Sequence, residues 1–304
     1  MNTAKNRARK KIPALAAMAL MTALTGSILP ASASAAAPAA QASQAAAFNK
    51  LAAAGNVSGM WTFIESRASS ASQASVTIWL RSLEAAQNKR LVSLEEELSA
   101  EKVQDALMNA DLYENAAWTK GARTGVAQAD KLLDEITSQG YVLDTTEGYY
   151  FPKIDYERYL KYAKRVVPRY AEYLKLRADD TRSEMTKDAG LIISWDELVD
   201  RAERQSLYLQ RYPNTPETKA VKEMYEQSLY ITLYGTDNVQ LFDYETNVMD
   251  YQARKAYQRH LALKSSSPYS QTLRGYMKVL EKSNFKFSKA AAAFRDARNP
   301  WLAE

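Results

Sequence analysis

The chain has 304 residues, no cysteine, one histidine, and 40 basic against 35 acidic side chains. The missing cysteine excludes disulfides, thiolate metal sites, thiol nucleophiles and a lipid-modified N-terminal cysteine, and a single histidine excludes a histidine pair holding a metal. The formal charge of +5 points at face value to a polyanionic partner such as nucleic acid or an anionic membrane, an inference that the first element of the chain removes.

Lys5, Arg7, Arg9, Lys10 and Lys11 form a basic stretch with no acid near it, and residues 12–24 are almost wholly apolar. Pro30 then breaks the helix, and Ala33-Ser34-Ala35 supplies small residues. This three-part pattern predicts a secretory signal peptide over 1–35. Its apolar stretch is shorter than the roughly 20 residues of a membrane-spanning helix. All charges in that segment are basic, so the mature chain carries 35 of each sign. A nucleic-acid partner, and stable membrane insertion after signal removal, are therefore not expected. The expected location is secreted, extracellular or held noncovalently at the cell wall.

Residues 36–47 are almost only Ala, Gln, Ser and Pro, and read as a flexible or weakly helical spacer. A helical region is expected over 48–140. It comprises a short helix around Trp61 and Ile64, a long one over 75–98, another opened by Ser99, and a last one over 126–138 stopped by Gly140. The period then changes. Residues 141–151 are aromatic and β-branched around central turn residues, which predicts a short β-hairpin ended by Pro152. Beyond it, Asp155 is placed to cap a long helix that Pro168 kinks or divides. Ser194-Trp195-Asp196-Glu197 is a capping box opening a helix to Arg211. Pro216 suits the first position of a further helix stopped by Gly235, and shorter helices are expected over 248–263, 269–281 and 288–298. The fold class is thus all-α, a multi-helix bundle with one short β-hairpin near 141–151. Tyrosine occurs once before residue 141, at Tyr113, and eighteen times from Tyr141 onward, so 141–304 is set off as a tyrosine-rich helical domain.

Leu207-Tyr208-Leu209-Gln210-Arg211-Tyr212-Pro213-Asn214-Thr215-Pro216 resembles the helix-turn-helix junction of tetratricopeptide-like repeats. No second copy follows at a period near 34 residues, so one antiparallel helix pair inside a larger bundle is expected. A wider resemblance rests on Glu147-Gly148-Tyr149-Tyr150-Phe151-Pro152-Lys153-Ile154-Asp155-Tyr156, Asp188-Ala189-Gly190-Leu191-Ile192-Ile193-Ser194-Trp195-Asp196-Glu197, Tyr212-Pro213-Asn214-Thr215-Pro216 and Tyr234-Gly235-Thr236-Asp237-Asn238. These runs, over about 140–300, resemble an uncharacterised helical domain of secreted or surface proteins of Gram-positive bacteria. That resemblance implies location and fold class and no catalytic residue.

Tyr149, Tyr150, Tyr156, Tyr159 and Trp195 are the candidate ligand-binding residues, since aromatic faces stack on sugar rings while tyrosine hydroxyls hydrogen-bond at the wet end. The opposing reading is that tyrosines at helical spacing pack a core. Ile64-Glu65-Ser66-Arg67 resembles the Glu-Ser pair with which lysozyme-like lytic transglycosylases present a general acid, making Glu65 the catalytic candidate, although the downstream Gly-Leu-Met-Gln element of that family is absent. His260 is the sole histidine through which a Ser-His-Asp relay can run; Glu95-Glu96-Glu97 reads as a solvated helix turn, Asp179-Asp180 as part of a helix end or loop, and Asp237-Asn238 lacks a calcium-loop pattern. No metal and no cofactor are expected. The reading is a non-enzymatic binding or structural module at the cell envelope, its partner a cell-wall glycan or peptide or a surface protein. The alternatives are a carboxylate-dependent peptidoglycan hydrolase and a partner or inhibitor of another secreted protein.

Overall fold

The structure is a computed structural model that describes residues 33–110, 112, 121–299 and 301; nearly all of the signal segment expected over 1–35, and Tyr113, lie outside the described residues. The chain divides into two compact units, Met1–Ala42 and Ser43–Glu304. In the first unit the described residues, from Ala33 on, are helical. Everything that follows, apart from the first residues of α1, belongs to the second.

Twelve helices and two two-stranded ribbons occur among the described residues, an all-α fold with a short hairpin as the periodicity predicts. The expected spacer is part of a helix, α1 (Ala33–Ala53), in keeping with the helix propensity of its alanines. Phe48 on α1 is the first buried anchor, its ring 5.3 Å from Phe63 and 5.8 Å from Trp79. Asn56 caps α2 (Val57–Arg67) by accepting from the Gly59 N–H at 2.9 Å, and Ser72 caps α3 (Gln73–Leu98) through the Ser75 N–H at 3.1 Å. Ser99, expected to open a helix, closes α3 instead by donating its hydroxyl to the Glu96 carbonyl at 2.7 Å. The next helix, α4 (Glu101–Ala110), begins after Ala100. A serine serves the open carbonyls of one helix end and the open N–H groups of the next, so local sequence leaves the choice undetermined. The next element, α5 (Ala127–Gln139), stops where expected, at Gly140 with φ 76° and ψ 44°.

The hairpin comprises β1 (Tyr141–Thr146) and β2 (Tyr149–Ile154), paired from Tyr141 opposite Ile154 to Thr146 opposite Tyr149. Its turn, Glu147-Gly148, has both residues at positive φ, as a two-residue hairpin turn requires. Pro152 does not end the hairpin; it lies inside β2 opposite Leu143. Each strand of a two-stranded ribbon is an edge, so a residue without an N–H is tolerated there. The two-residue period puts Tyr141, Leu143, Tyr150, Pro152 and Ile154 on the buried face and leaves Asp144, Thr146, Phe151 and Lys153 on the other.

The tyrosine-periodic stretch after Asp155 is divided, into α6 (Tyr156–Leu160) and α7 (Pro168–Arg182), with Pro168 at the start of α7 where its missing N–H has no partner to lose. A second ribbon, β3 (Thr186–Lys187) with β4 (Gly190–Leu191), flanks the Asp188-Ala189 turn and was not expected. It is followed by α8 (Trp195–Arg211), whose Ser194 cap accepts from the Glu197 N–H at 3.1 Å. The next helix, α9 (Thr218–Tyr234), starts two residues after Pro216, which lies in the turn. The chain closes with α10 (Tyr251–Ala262), α11 (Pro268–Lys282) and α12 (Lys289–Asp296). The cores form two clusters. One gathers α1–α7 and the hairpin with Tyr208, Val221 and Met224, so it spans both sides of residue 140, and the other gathers the rest of the buried residues of α8–α12 with Met185 and Leu191.

Two polar side chains of α3 lock the first cluster. Gln87, fully buried, donates to the Gln139 and Gly140 carbonyls at 2.7 and 3.0 Å and accepts the Tyr159 hydroxyl. Glu84 accepts hydroxyls from Tyr156 at 2.7 Å, Tyr170 at 3.1 Å and Tyr173. Burial pushes the pKa of Tyr156, Tyr159, Tyr170 and Tyr173 up, keeping all four as donors. A Cβ on Gly140 would sit 2.5 Å from Trp61 Nε1 while the backbone stays left-handed. Gly140→Ala is therefore expected to lower unfolding stability by about 2 kcal/mol, read as a reduced urea midpoint at unchanged slope.

Candidate functional site

The residues nominated from sequence do not converge. Tyr150, Tyr156 and Tyr159 are buried in the first core cluster, while Trp195 is buried in the second, its ring 6.1 Å from Tyr257. Tyr149 is exposed at the hairpin tip. Burial claims these rings because their hydroxyls find internal partners, Glu84 for Tyr156 and Gln87 for Tyr159. Of the five, Tyr156 borders a hollow. Glu65 lies on the exposed face of α2, paired with Arg158 at 2.8 Å, and the Arg158 guanidinium rests 4.1 Å over Trp61. A general acid needs a shielded, protonated carboxyl, and this setting is an open ion pair.

The open face of the hairpin borders a groove. Phe151 and Thr146, the 184–189 segment, and Gln227, Tyr230 and Trp301 line a hollow of about 480 Å³. A second, of about 280 Å³, adjoins it through Glu184, Thr186 and Gln227, and a third, of about 390 Å³, adjoins it through Tyr230, Gly235, Thr236 and Asp237. The three hollows are thus neighbours that share lining residues. Gly235, which lines two of them, permits the backbone turn after α9: at φ 77°, a Cβ there would meet the Leu241 nitrogen at 2.5 Å.

One wall is a stack of planar groups. Tyr230 and Tyr234, four residues apart on α9, stack at 4.6 Å and 11°. The Arg295 guanidinium covers Tyr234 at 4.3 Å, and Trp301 lies 4.2 Å from Tyr230. The C-terminal segment is tied down where the Tyr234 hydroxyl donates to Asp296 at 2.8 Å and accepts from Asn299 at 3.2 Å. Trp301 ends the stack and is 54% exposed, so an indole face stays open to the groove.

Charged side chains line the rest. Lys153 bridges Asp144 and Glu184, the latter at 3.0 Å. Burial pushes Glu184 up, reinforced by the hydrogen-bonded Asp144 carboxyl. Burial also works to raise Asp144, but hydrogen bonds from Glu184, Lys153 and the Thr145 N–H hold it below its ordinary value. Both carboxyls are held by the one Lys153 ammonium. Asp144 is itself buried and fully engaged. The arrangement organises charge along the groove floor.

His260 does meet a serine and an acid, in a way that is not a catalytic relay. Its Nε2 lies 2.8 Å from the Ser270 hydroxyl and 3.3 Å from Glu203, so both partners address the same ring nitrogen, and all three residues are buried. Glu203 also accepts hydroxyls from Ser265, Ser267 at 2.6 Å and Ser270 at 2.9 Å, binding the α10–α11 turn to α8. Elsewhere, Glu97 is paired with Arg90 at 2.7 Å, Asp179 with Arg204 at 2.5 Å and Asp180 with Arg201 at 3.1 Å. Among the described residues no group of three or more His, Asp or Glu side chains is placed to hold a metal ion, and no helix is long and apolar enough to cross a membrane.

The sequence reading missed Glu184, Tyr230 and Trp301. A usable signal existed in the Tyr230–Tyr234 spacing beside polar Gln227 on a helix end. No signal pointed to Trp301, which reaches the groove by tertiary return alone. Comparison of the chain with protein-family models, curated proteins and solved structures finds no match.

Burial tends to raise the Glu203 pKa, but the three serine hydroxyls and His260 outweigh it and hold the carboxyl below its ordinary value. Its contribution to stability is therefore complete above the unfolded-state pKa and is lost as pH falls through the folded one. Glu203→Gln is expected to cost about 1–3 kcal/mol at neutral pH and to flatten the loss of stability on acidification, both read from urea midpoints across an acid series.

Proposed function

We propose that the protein is a non-enzymatic binding module, exported and held noncovalently at the cell envelope, and that the groove takes an extended cell-wall polymer along its aromatic wall. The observation that carries this reading is the Arg295–Tyr234–Tyr230–Trp301 stack beside three adjoining hollows. A stacked, braced indole offers an apolar face at little conformational cost, and a sugar ring covers such a face while its hydroxyls reach polar groups at the rim. Thr236, Asp237 and Gln227 form that rim. Three adjoining hollows suit successive units of a chain polymer better than a single small molecule. Export, and with it access to the wall, is supported by the basic, apolar and small-residue sequence over 1–35.

Co-sedimentation with purified sacculi tests this. Trp301→Ala is expected to weaken wall binding about tenfold, on the order of 1.4 kcal/mol, with the fold intact by far-UV circular dichroism. Glu65→Gln is expected to leave binding unchanged, and neither protein is expected to clear peptidoglycan in a zymogram. Recovery of the wild type wholly in the supernatant at every salt concentration overturns the wall reading.

A further inference from the structure

The smallest of the three hollows has a feature that sugar stacking does not use. Arg177, on α7, lines it, and the guanidinium lies 4.6 Å over the Tyr156 ring. The Arg177 Nε is buried with no acceptor, and the side chain makes no hydrogen bond or ion pair among the described residues. Its neighbours are different. Arg201 is engaged by Glu197 at 2.8 Å, Asp180 at 3.1 Å and the Ser183 carbonyl at 2.9 Å, and Arg204 by Asp179 at 2.5 Å and Asp200 at 2.8 Å. A half-buried guanidinium held over an aromatic ring, with no acceptor of its own, is a preorganised fork for a carboxylate.

The same hollow contains the counterpart. Asp180, one turn after Arg177 on the same helix face, and Glu184 both line it. We infer that this hollow binds a small zwitterion, its carboxylate on Arg177 and its ammonium between Asp180 and Glu184, as presented by a free amino acid or a short peptide with free ends. The inference rests on the groove being a binding surface, and it adds a peptide-end subsite to the glycan-covering wall. Burial pushes both Asp180 and Glu184 up, so an arriving ammonium stabilises their ionised forms. Lys153 and Arg177 line the hollow with Asp180 and Glu184, so its charges balance, which suits a zwitterion better than a bare polyanion. The volume of about 280 Å³ accommodates one or two small residues.

Isothermal titration of the full-length protein with the dipeptide Ala-Ala, its C-terminal amide, its N-acetyl form, free alanine and inorganic phosphate tests the inference. Ala-Ala is expected to bind at least about tenfold more tightly than either blocked form, and phosphate not to compete. The alanine and Ala-Ala arms separate a free amino acid from a peptide end. In Arg177→Gln the advantage of the free acid over the amide is expected to vanish, and in Arg177→Lys to shrink. Should Arg177→Gln fail to fold, the Lys variant and the wild-type acid-to-amide ratio still decide. Equal binding of acid and amide, no heat from any probe at millimolar concentration, or tighter binding of phosphate overturns the inference. Sacculus binding that persists in Arg177→Gln alongside such a result leaves the groove reading standing. Loss of sacculus binding in Trp301→Ala with dipeptide binding intact separates the two in the other direction.

Discussion

The carboxamide of Gln87 sets the geometry on which the groove depends. It sits fully buried in the middle of α3 and satisfies two carbonyls where α5 gives way to the hairpin, at Gln139 and Gly140. Gly140 O accepts the Asp155 N–H as well, closing the base of the hairpin, and the Trp61 indole N–H donates to Gln139 O at 3.0 Å. A buried amide with its partners in place is rigid, because breaking any bond leaves a polar group without water. That rigidity holds the hairpin register. With a two-residue side-chain period, the register alone decides that Phe151 and Lys153 meet the groove while Tyr150 and Pro152 turn to the buried face.

The excess of tyrosine follows from the same logic. Several elements of the core are bound to one another by hydroxyls that end on a single acceptor, with Glu84 receiving three and Gln87 one. In the second cluster, Tyr257 and Tyr276 reach the Thr232 and Leu233 carbonyls at 2.7 and 3.2 Å, and Tyr269 meets the Thr232 hydroxyl at 3.1 Å. A chain without disulfides thereby gains directional links inside a largely apolar interior. The cost is that most of these rings are spent on packing. The tyrosines left for a ligand are those, such as Tyr230, whose ring edge remains at the surface.

Binding chemistry and folding chemistry are consequently adjacent but separate. The Tyr156 ring shows how close they come: its hydroxyl serves Glu84 in the core while its face supports Arg177 at the hollow. The groove wall has a similar double use, since the Tyr234 hydroxyl anchors the C-terminal segment that delivers Trp301.

Much of the fold was legible in the residues themselves. Periodicity, the Ser194 cap, the Gly140 stop and the change of period at Tyr141 are local signals, enforced by backbone sterics and by hydrogen bonds that span a few positions. Where two local uses are equivalent, as for Ser99, or where context relaxes a rule, as for Pro152 on a ribbon edge, the sequence did not decide. The candidate site was largely illegible. Its wall joins Tyr230 to Trp301 and its charged lining joins Lys153 to Glu184, pairs far apart in the chain whose meeting no short-range pattern encodes. Composition determined that tyrosine would matter. Only tertiary packing determined which tyrosines face inward, because the face a ring presents depends on partners that arrive from other helices.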